Sequence, residues 1–61
     1  MALRTSYELF LDDGEGPPVF EAIACADEAE LLGCLRRMLE ERSLRAIEVR
    51  WLGEPIFTLA S

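Results

Sequence analysis

Asp27-Glu-Ala-Glu-Leu-Leu-Gly-Cys-Leu-Arg-Arg-Met-Leu-Glu-Glu-Arg42 carries the helical pattern of this 61-residue chain, and its reading decides the fold. At about 100° per residue, Leu31, Leu32, Cys34, Leu35, Met38 and Leu39 fill one arc of a helical wheel. Gly33, Arg36, Arg37, Glu40 and Glu41 fill the other. Asp27 is suited to cap the helix, because its carboxylate can accept the orphan amide hydrogens of the first turn. Glu30 stands three residues on, as in a capping box. Asp27, Glu28 and Glu30 also complement the positive end of the helix dipole. The helix is expected to run to about Arg42, with Arg36, Arg37 and Arg42 toward its negative end.

The flanking sequence alternates with the period of two that marks a half-buried strand. In Thr5-Ser-Tyr-Glu-Leu-Phe-Leu11, Tyr7, Leu9 and Leu11 share one face, while Glu8 and Phe10 take the other. Asp12-Asp-Gly-Glu-Gly-Pro-Pro18 is dense in turn residues. Val19-Phe-Glu-Ala-Ile-Ala-Cys25 is a second strand, and the two form an antiparallel hairpin. Beyond the helix, Ile47, Val49 and Trp51 alternate with Glu48 and Arg50 in a third strand over Arg45–Leu52. Gly53-Glu-Pro55 turns the chain into a last strand, Ile56-Phe-Thr-Leu-Ala60.

The order ββαββ in a single domain predicts an α+β fold of two layers: a four-stranded sheet with one helix packed on one face. Tyr7, Leu9, Leu11, Phe20, Ala22, Ala24, Ile47, Val49, Trp51, Phe57 and Leu59 are expected beneath the helix. The crossover makes the second and third strands parallel. Two strand orders remain open, one with the first and last strands in the middle, the other sequential. The hairpin loop and the helix C-terminus fall at the same end, bringing Asp12, Asp13 and Glu15 toward Arg42 or Arg45.

The chemical inventory is narrow. The chain has no Lys, His, Asn or Gln, its six basic residues are all Arg, and twelve acids give a net charge of -6. Without His there is no Ser-His or Cys-His nucleophile pair and no imidazole metal ligand. The same absences fit codon usage in a GC-rich genome. The negative charge argues against a nucleic-acid partner, which is bound by neutralising phosphates. A chain this short leaves little room for a deep cleft. Neither an 18-residue apolar run nor a signal-peptide pattern is present, so no membrane partner and a cytoplasmic location are expected. Asp12-Asp-Gly-Glu-Gly16 lacks the spacing of a calcium loop and reads as a solvated turn. No catalytic residue, metal or cofactor is assigned. Cys25 ends a strand, while Cys34 lies on the order of 10 Å along the axis from the helix start. A disulfide needs Cα atoms about 5.5 to 6 Å apart. Two free thiols in a reducing compartment are therefore expected.

The sheet face away from the helix carries the functional signal. Phe10, Val19, Ile23, Leu52 and Ile56 are expected there among Glu8, Glu21, Glu48 and Arg50. Such a face in water should be mostly polar, and an apolar patch marks a contact surface. A one-residue slip in any strand would exchange its two faces. The leading expectation is a small acidic non-enzymatic module that forms a homodimer through this face. Phe10, Ile23 and Ile56 would anchor it, with Glu21 and Arg50 at the rim. The alternatives are a monomeric adaptor offering its sheet face or an edge strand to another protein, and a redox protein working through its thiols. Gly33, on the outer helix face, reads as a tolerated substitution on a solvated face, the alternative being a site where another backbone approaches.

Overall fold

Asp27 has extended backbone, and its carboxylate accepts the Glu30 amide at 2.8 Å. That bond starts the helix where the capping pattern predicts. The Glu30 side chain does not return to Asp27 but pairs with Arg4 at 3.0 Å. In the computed structural model, which describes residues 3–61, the elements follow as β1 (Thr5–Asp12), β2 (Val19–Cys25), α1 (Glu28–Glu41), β3 (Ala46–Trp51) and β4 (Glu54–Ala60). The α+β class and the ββαββ order are those expected from the sequence.

The far end of α1 closes with a Schellman motif. The Leu44 amide donates to the Leu39 carbonyl at 3.0 Å, and the Ser43 amide to Glu40 at 3.4 Å. The motif requires a left-handed residue between helix and exit strand, a position usually held by Gly. Here it is Ser43, with φ 52°. The accompanying apolar contact is made by Leu39 and Leu44, which brings Leu44 into the core although the strand pattern did not mark it. The last turn of α1 holds no basic residue. Arg42 caps the end and pairs with Glu21.

The strand order is β2-β1-β3-β4, with every neighbouring pair antiparallel. Neither sequence-based arrangement is the one found. β2 and β3 do run parallel to each other, but β1 lies between them. This order has a physical reason. The central strands β1 and β3 present the most deeply buried helix-facing residues. Leu9, Leu11, Ile47 and Val49 are all buried under the Leu31–Leu35–Leu39 stripe of α1. At the edges, β2 carries Glu21 on its inner face, whereas β4 presents Phe57 and Leu59, both only partly buried.

β2 shows the largest departure from the sequence reading. Its register pairs Leu11 with Val19, Leu9 with Glu21, Tyr7 with Ile23 and Thr5 with Cys25. Directly paired residues share a face, so Val19, Glu21, Ile23 and Cys25 face the helix side. Phe20, Ala22 and Ala24 lie on the open side. The expected facing of β2 is therefore reversed. Either parity of Val19–Cys25 is apolar apart from Glu21, so alternation alone does not choose. The chosen register buries Cys25 completely and Ile23 partly, whereas the other would turn Phe20 and two alanines inward. It also sets Phe20 directly opposite Phe10.

Trp51 departs too. It is 47 % exposed rather than core, because it is the last residue of β3 and pairs with Glu54 across a turn. That turn is Leu52-Gly53, one step earlier than expected. Both residues have positive φ, 52° and 83°, as a two-residue type I′ hairpin demands. β4 consequently starts at Glu54, and an extra residue, Ile56, bulges between the Val49–Phe57 and Arg50–Pro55 pairs.

Two side chains thus occupy left-handed backbone that disfavours them, Ser43 and Leu52. Ser43→Gly and Leu52→Asn should each stabilise the fold by about 0.5–1 kcal/mol. Thermal unfolding by circular dichroism should rise by roughly 3–6 °C for each. An unchanged or lower midpoint in both would contradict the turn assignments.

Candidate functional site

The uncovered side of the sheet is built from alternate residues of all four strands. β1 contributes Ser6, Glu8, Phe10 and Asp12, and β2 contributes Phe20, Ala22 and Ala24. β3 adds Ala46, Glu48 and Arg50, and β4 adds Thr58 and Ala60, with Ile56 half exposed at the bulge. Phe10 and Phe20 meet edge to face, with centroids 5.5 Å apart. The Arg50 guanidinium lies 4.6 Å from the centre of the Phe10 ring. Phe10 is thus held between an aromatic edge and a cation, and each contact restrains its rotamer.

All four charges on this face already have partners within the chain. Arg50 pairs with Glu48 along its own strand. The Glu8 carboxylate accepts the Gly53 amide at 2.9 Å, bracing the β3–β4 turn. Asp12 accepts the Gly14 amide at 2.8 Å, so part of its capacity is also taken within the chain. The face is less polar than its composition suggests. Beside Phe10, a dimple of about 160 Å³ is lined by Asp12, Pro18, Ala46, Glu48 and Thr58.

The residues singled out from sequence divide into three groups. Phe10, Arg50 and Ile56 lie on the open side. Val19, Glu21 and Ile23 do not, because of the reversed β2 facing. Glu21 instead reaches over the helix end, where its hydrogen bond keeps Arg42 firmly protonated. Leu52 projects from the turn tip, 78 % exposed, and belongs to neither face. Phe20 is the residue that sequence reasoning missed. Its signal was the hairpin pairing itself, which sets it opposite Phe10 once Leu11 and Val19 are matched.

Other features are chemically quieter. Among the described residues, Glu15 receives no basic partner. Its amide donates to Asp13 at 2.8 Å, so the acidic loop is stitched by its own backbone. Arg45 reaches the loop through backbone and stem rather than an ion pair: its amide donates to Asp12 at 2.7 Å, and its side chain skirts Gly14. Gly33 faces open space. An open crevice of about 550 Å³ separates the end of α1 from the end of β4, floored by Leu39 and Leu44 and rimmed by Arg36, Glu40, Ser43 and Ser61. It is larger than the chain length led us to expect. Among the described residues, no three or more His, Cys, Asp or Glu side chains cluster as metal ligands. No helix of these residues is long and apolar enough to cross a membrane.

Both cysteines are free thiols. Cys25 is fully buried in the core with Leu31 and Leu35, whereas Cys34 is partly exposed on α1. Burial pushes the Cys25 thiol above its ordinary value of 9.0, and Cys34 and Glu30 add to the shift while Arg4 opposes it. No known family, curated protein or solved structure matches this chain.

The Cys25 shift has a stability consequence. Its folded value exceeds its unfolded value, so its contribution is complete below about pH 9 and is lost as pH rises through the folded value. The melting temperature of wild type should exceed that of Cys25→Ala by a margin that narrows between pH 9 and 11. A constant margin across that range would contradict the burial of this thiol.

Proposed function

We propose that this chain is a small non-enzymatic interaction module that self-associates as a two-fold dimer through the open face of its sheet. The observation that carries the proposal is a single cross-strand row. Phe20, Phe10, Glu48 and Thr58 are paired in succession across β2, β1, β3 and β4. The projecting ring, 55 % exposed, stands at one end of the row, and the dimple lies toward the other. A two-fold axis along the strands, between β1 and β3, sets each copy's Phe20 over the partner copy's dimple. An isologous dimer needs this kind of self-complementarity.

Area supports the same occupant and limits its affinity. Four strands about 4.8 Å apart and seven residues at about 3.3 Å give a projected face of roughly 440 Å² per copy. Specific interfaces remove about 800 Å² of accessible surface per partner. Side-chain relief brings the face toward the lower end of that class, consistent with a micromolar dimer. Pairing of Arg50 with Glu48 and of Glu8 with Gly53 lowers the cost of drying the face, since each charged group keeps its partner.

A second reading rests on the outer edge of β4. Ile56-Phe57-Thr58-Leu59-Ala60 is an uncharged run on an edge strand, guarded only by Pro55 and the bulge at its start. Such an edge can accept a strand from another protein.

Light scattering on the eluting chain should give about twice 6.9 kDa at high micromolar concentration and approach the monomer on dilution. Added salt should favour the dimer, because each copy carries -6. Phe20→Glu should remain folded and monomeric throughout, and Thr58→Arg should do the same from the other side of the row. A wild-type chain that stays monomeric at 1 mM would overturn self-association and leave the β4 edge as the better reading. A dimer unaffected by both variants would move the interface elsewhere.

A further inference from the structure

We infer that the outer edge of β4 and the crevice beside the end of α1 form one groove for an extended basic peptide segment, which adds to β4 as an antiparallel strand and seats a lysine or arginine side chain in the crevice. The inference rests on the second reading above, a free β4 edge, and names the chemistry of its partner. Stacking of two open faces leaves that edge uncovered, so the groove is present in monomer and dimer alike.

Backbone groups set the register. The Ser61 amide donates to the Arg45 carbonyl at 3.1 Å. Inward-bonded and outward-pointing residues alternate along an antiparallel strand. Phe57 and Leu59 therefore spend their amides and carbonyls on β3, while those of Thr58 and Ala60 point away from the sheet. Carried across β3 and β1, the same alternation turns the Ala24 carbonyl to the outer edge of β2, where Arg4 occupies it at 3.3 Å. Among the described residues, no side chain blocks the outer groups of Thr58 and Ala60 in this way.

Side chains then follow the pleat. In an added antiparallel strand, the residues opposite Thr58 and Ala60 exchange backbone hydrogen bonds with them and lie on the open side. The residues opposite Leu59 and Ser61 lie on the helix side, where Leu59 is only partly buried. Ser61 also lines the crevice of about 550 Å³, so the peptide residue opposite it enters that crevice.

The crevice selects the side chain. Its floor is Leu39 and Leu44, and Glu40, Ser43 and Ser61 supply oxygen acceptors on its rim. Glu40 stands at the end of α1, whose last turn holds no basic residue. Its carboxylate adds to the negative end of the helix dipole. Among the described residues it has no ion-pair partner. Arg36, one turn back, is the one cation on the rim. The net charge of -6 draws cations from a distance. A long basic side chain lays its alkyl stem on the leucines and its charge beside Glu40.

The test is titration of the isotope-labelled chain with the capped peptide Lys-Thr-Val-Thr-Val-Thr, read by nuclear magnetic resonance and amide hydrogen exchange. In the free chain, the Thr58 and Ala60 amides should exchange fast and the Leu59 amide slowly. Bound peptide should protect Thr58 and Ala60 and shift the methyl signals of Leu39 and Leu44. Ala60→Pro removes an outward donor and nothing from the β3 ladder, and it should abolish binding. Glu40→Gln should weaken binding about threefold, and Arg36→Gln should tighten it by a similar factor. Binding that is lost in Ala60→Pro but indifferent to both charge variants would overturn the basic-peptide inference and keep the free edge. So would protection by a peptide with leucine in place of lysine and none by the lysine peptide. Protection by neither peptide at millimolar concentration would overturn the inference and the edge reading together.

Discussion

The contact between one helical stripe and two central strands carries the whole molecule. Leu31, Leu35 and Leu39 are spaced to lie along one side of α1, and they cover Leu9 and Leu11 of β1 with Ile47 and Val49 of β3. A helix is about 10 Å across, whereas four strands span about twice that. One helix therefore covers the middle of the sheet and little more. The edge strands receive partial cover, which is where Glu21, Phe57 and Leu59 reside. The opposite face receives none.

That asymmetry connects the fold to the functional reading. A 61-residue chain buries a smaller share of its surface than larger domains do, and its stability margin is correspondingly narrow. This chain keeps two phenylalanines, four alanines and an isoleucine on the side without a helix. Their setting is ordered: Arg50 stacks on Phe10 and pairs with Glu48, while Glu8 is committed to the β3–β4 turn. A second sheet laid on this face at the usual spacing of about 10 Å would convert the exposed layer into a second core.

The elements themselves were legible because local signals agreed. Asp27 capped the helix, the 3.6-residue stripe ran without interruption, and β1 and β3 alternated cleanly. The strand order was not legible, because it depends on a comparison among strands rather than on a property of any one. Glu21 carried that information: a charge on the helix side is tolerable only at an edge, where it can reach Arg42. The facing of β2 was undecided by alternation because Val19–Cys25 is apolar on both parities. Trp51 and Leu52 were misread for a related reason, since a Leu in a left-handed turn position gives no composition signal. Of the proposed surface, Phe10, Arg50 and Ile56 were accessible to sequence reasoning, and Phe20 required the register.

Isotope-filtered nuclear Overhauser spectroscopy on a mixture of labelled and unlabelled chains tests the central claim most directly. Within one copy, Phe20 and Thr58 stand on opposite edge strands, about 14 Å apart across three strand spacings, beyond the reach of the effect. The account predicts intermolecular signals from the Phe20 ring to the Thr58 and Ala46 methyl groups. Intermolecular signals confined to α1 or to the β4 edge, or none at millimolar concentration, would contradict it.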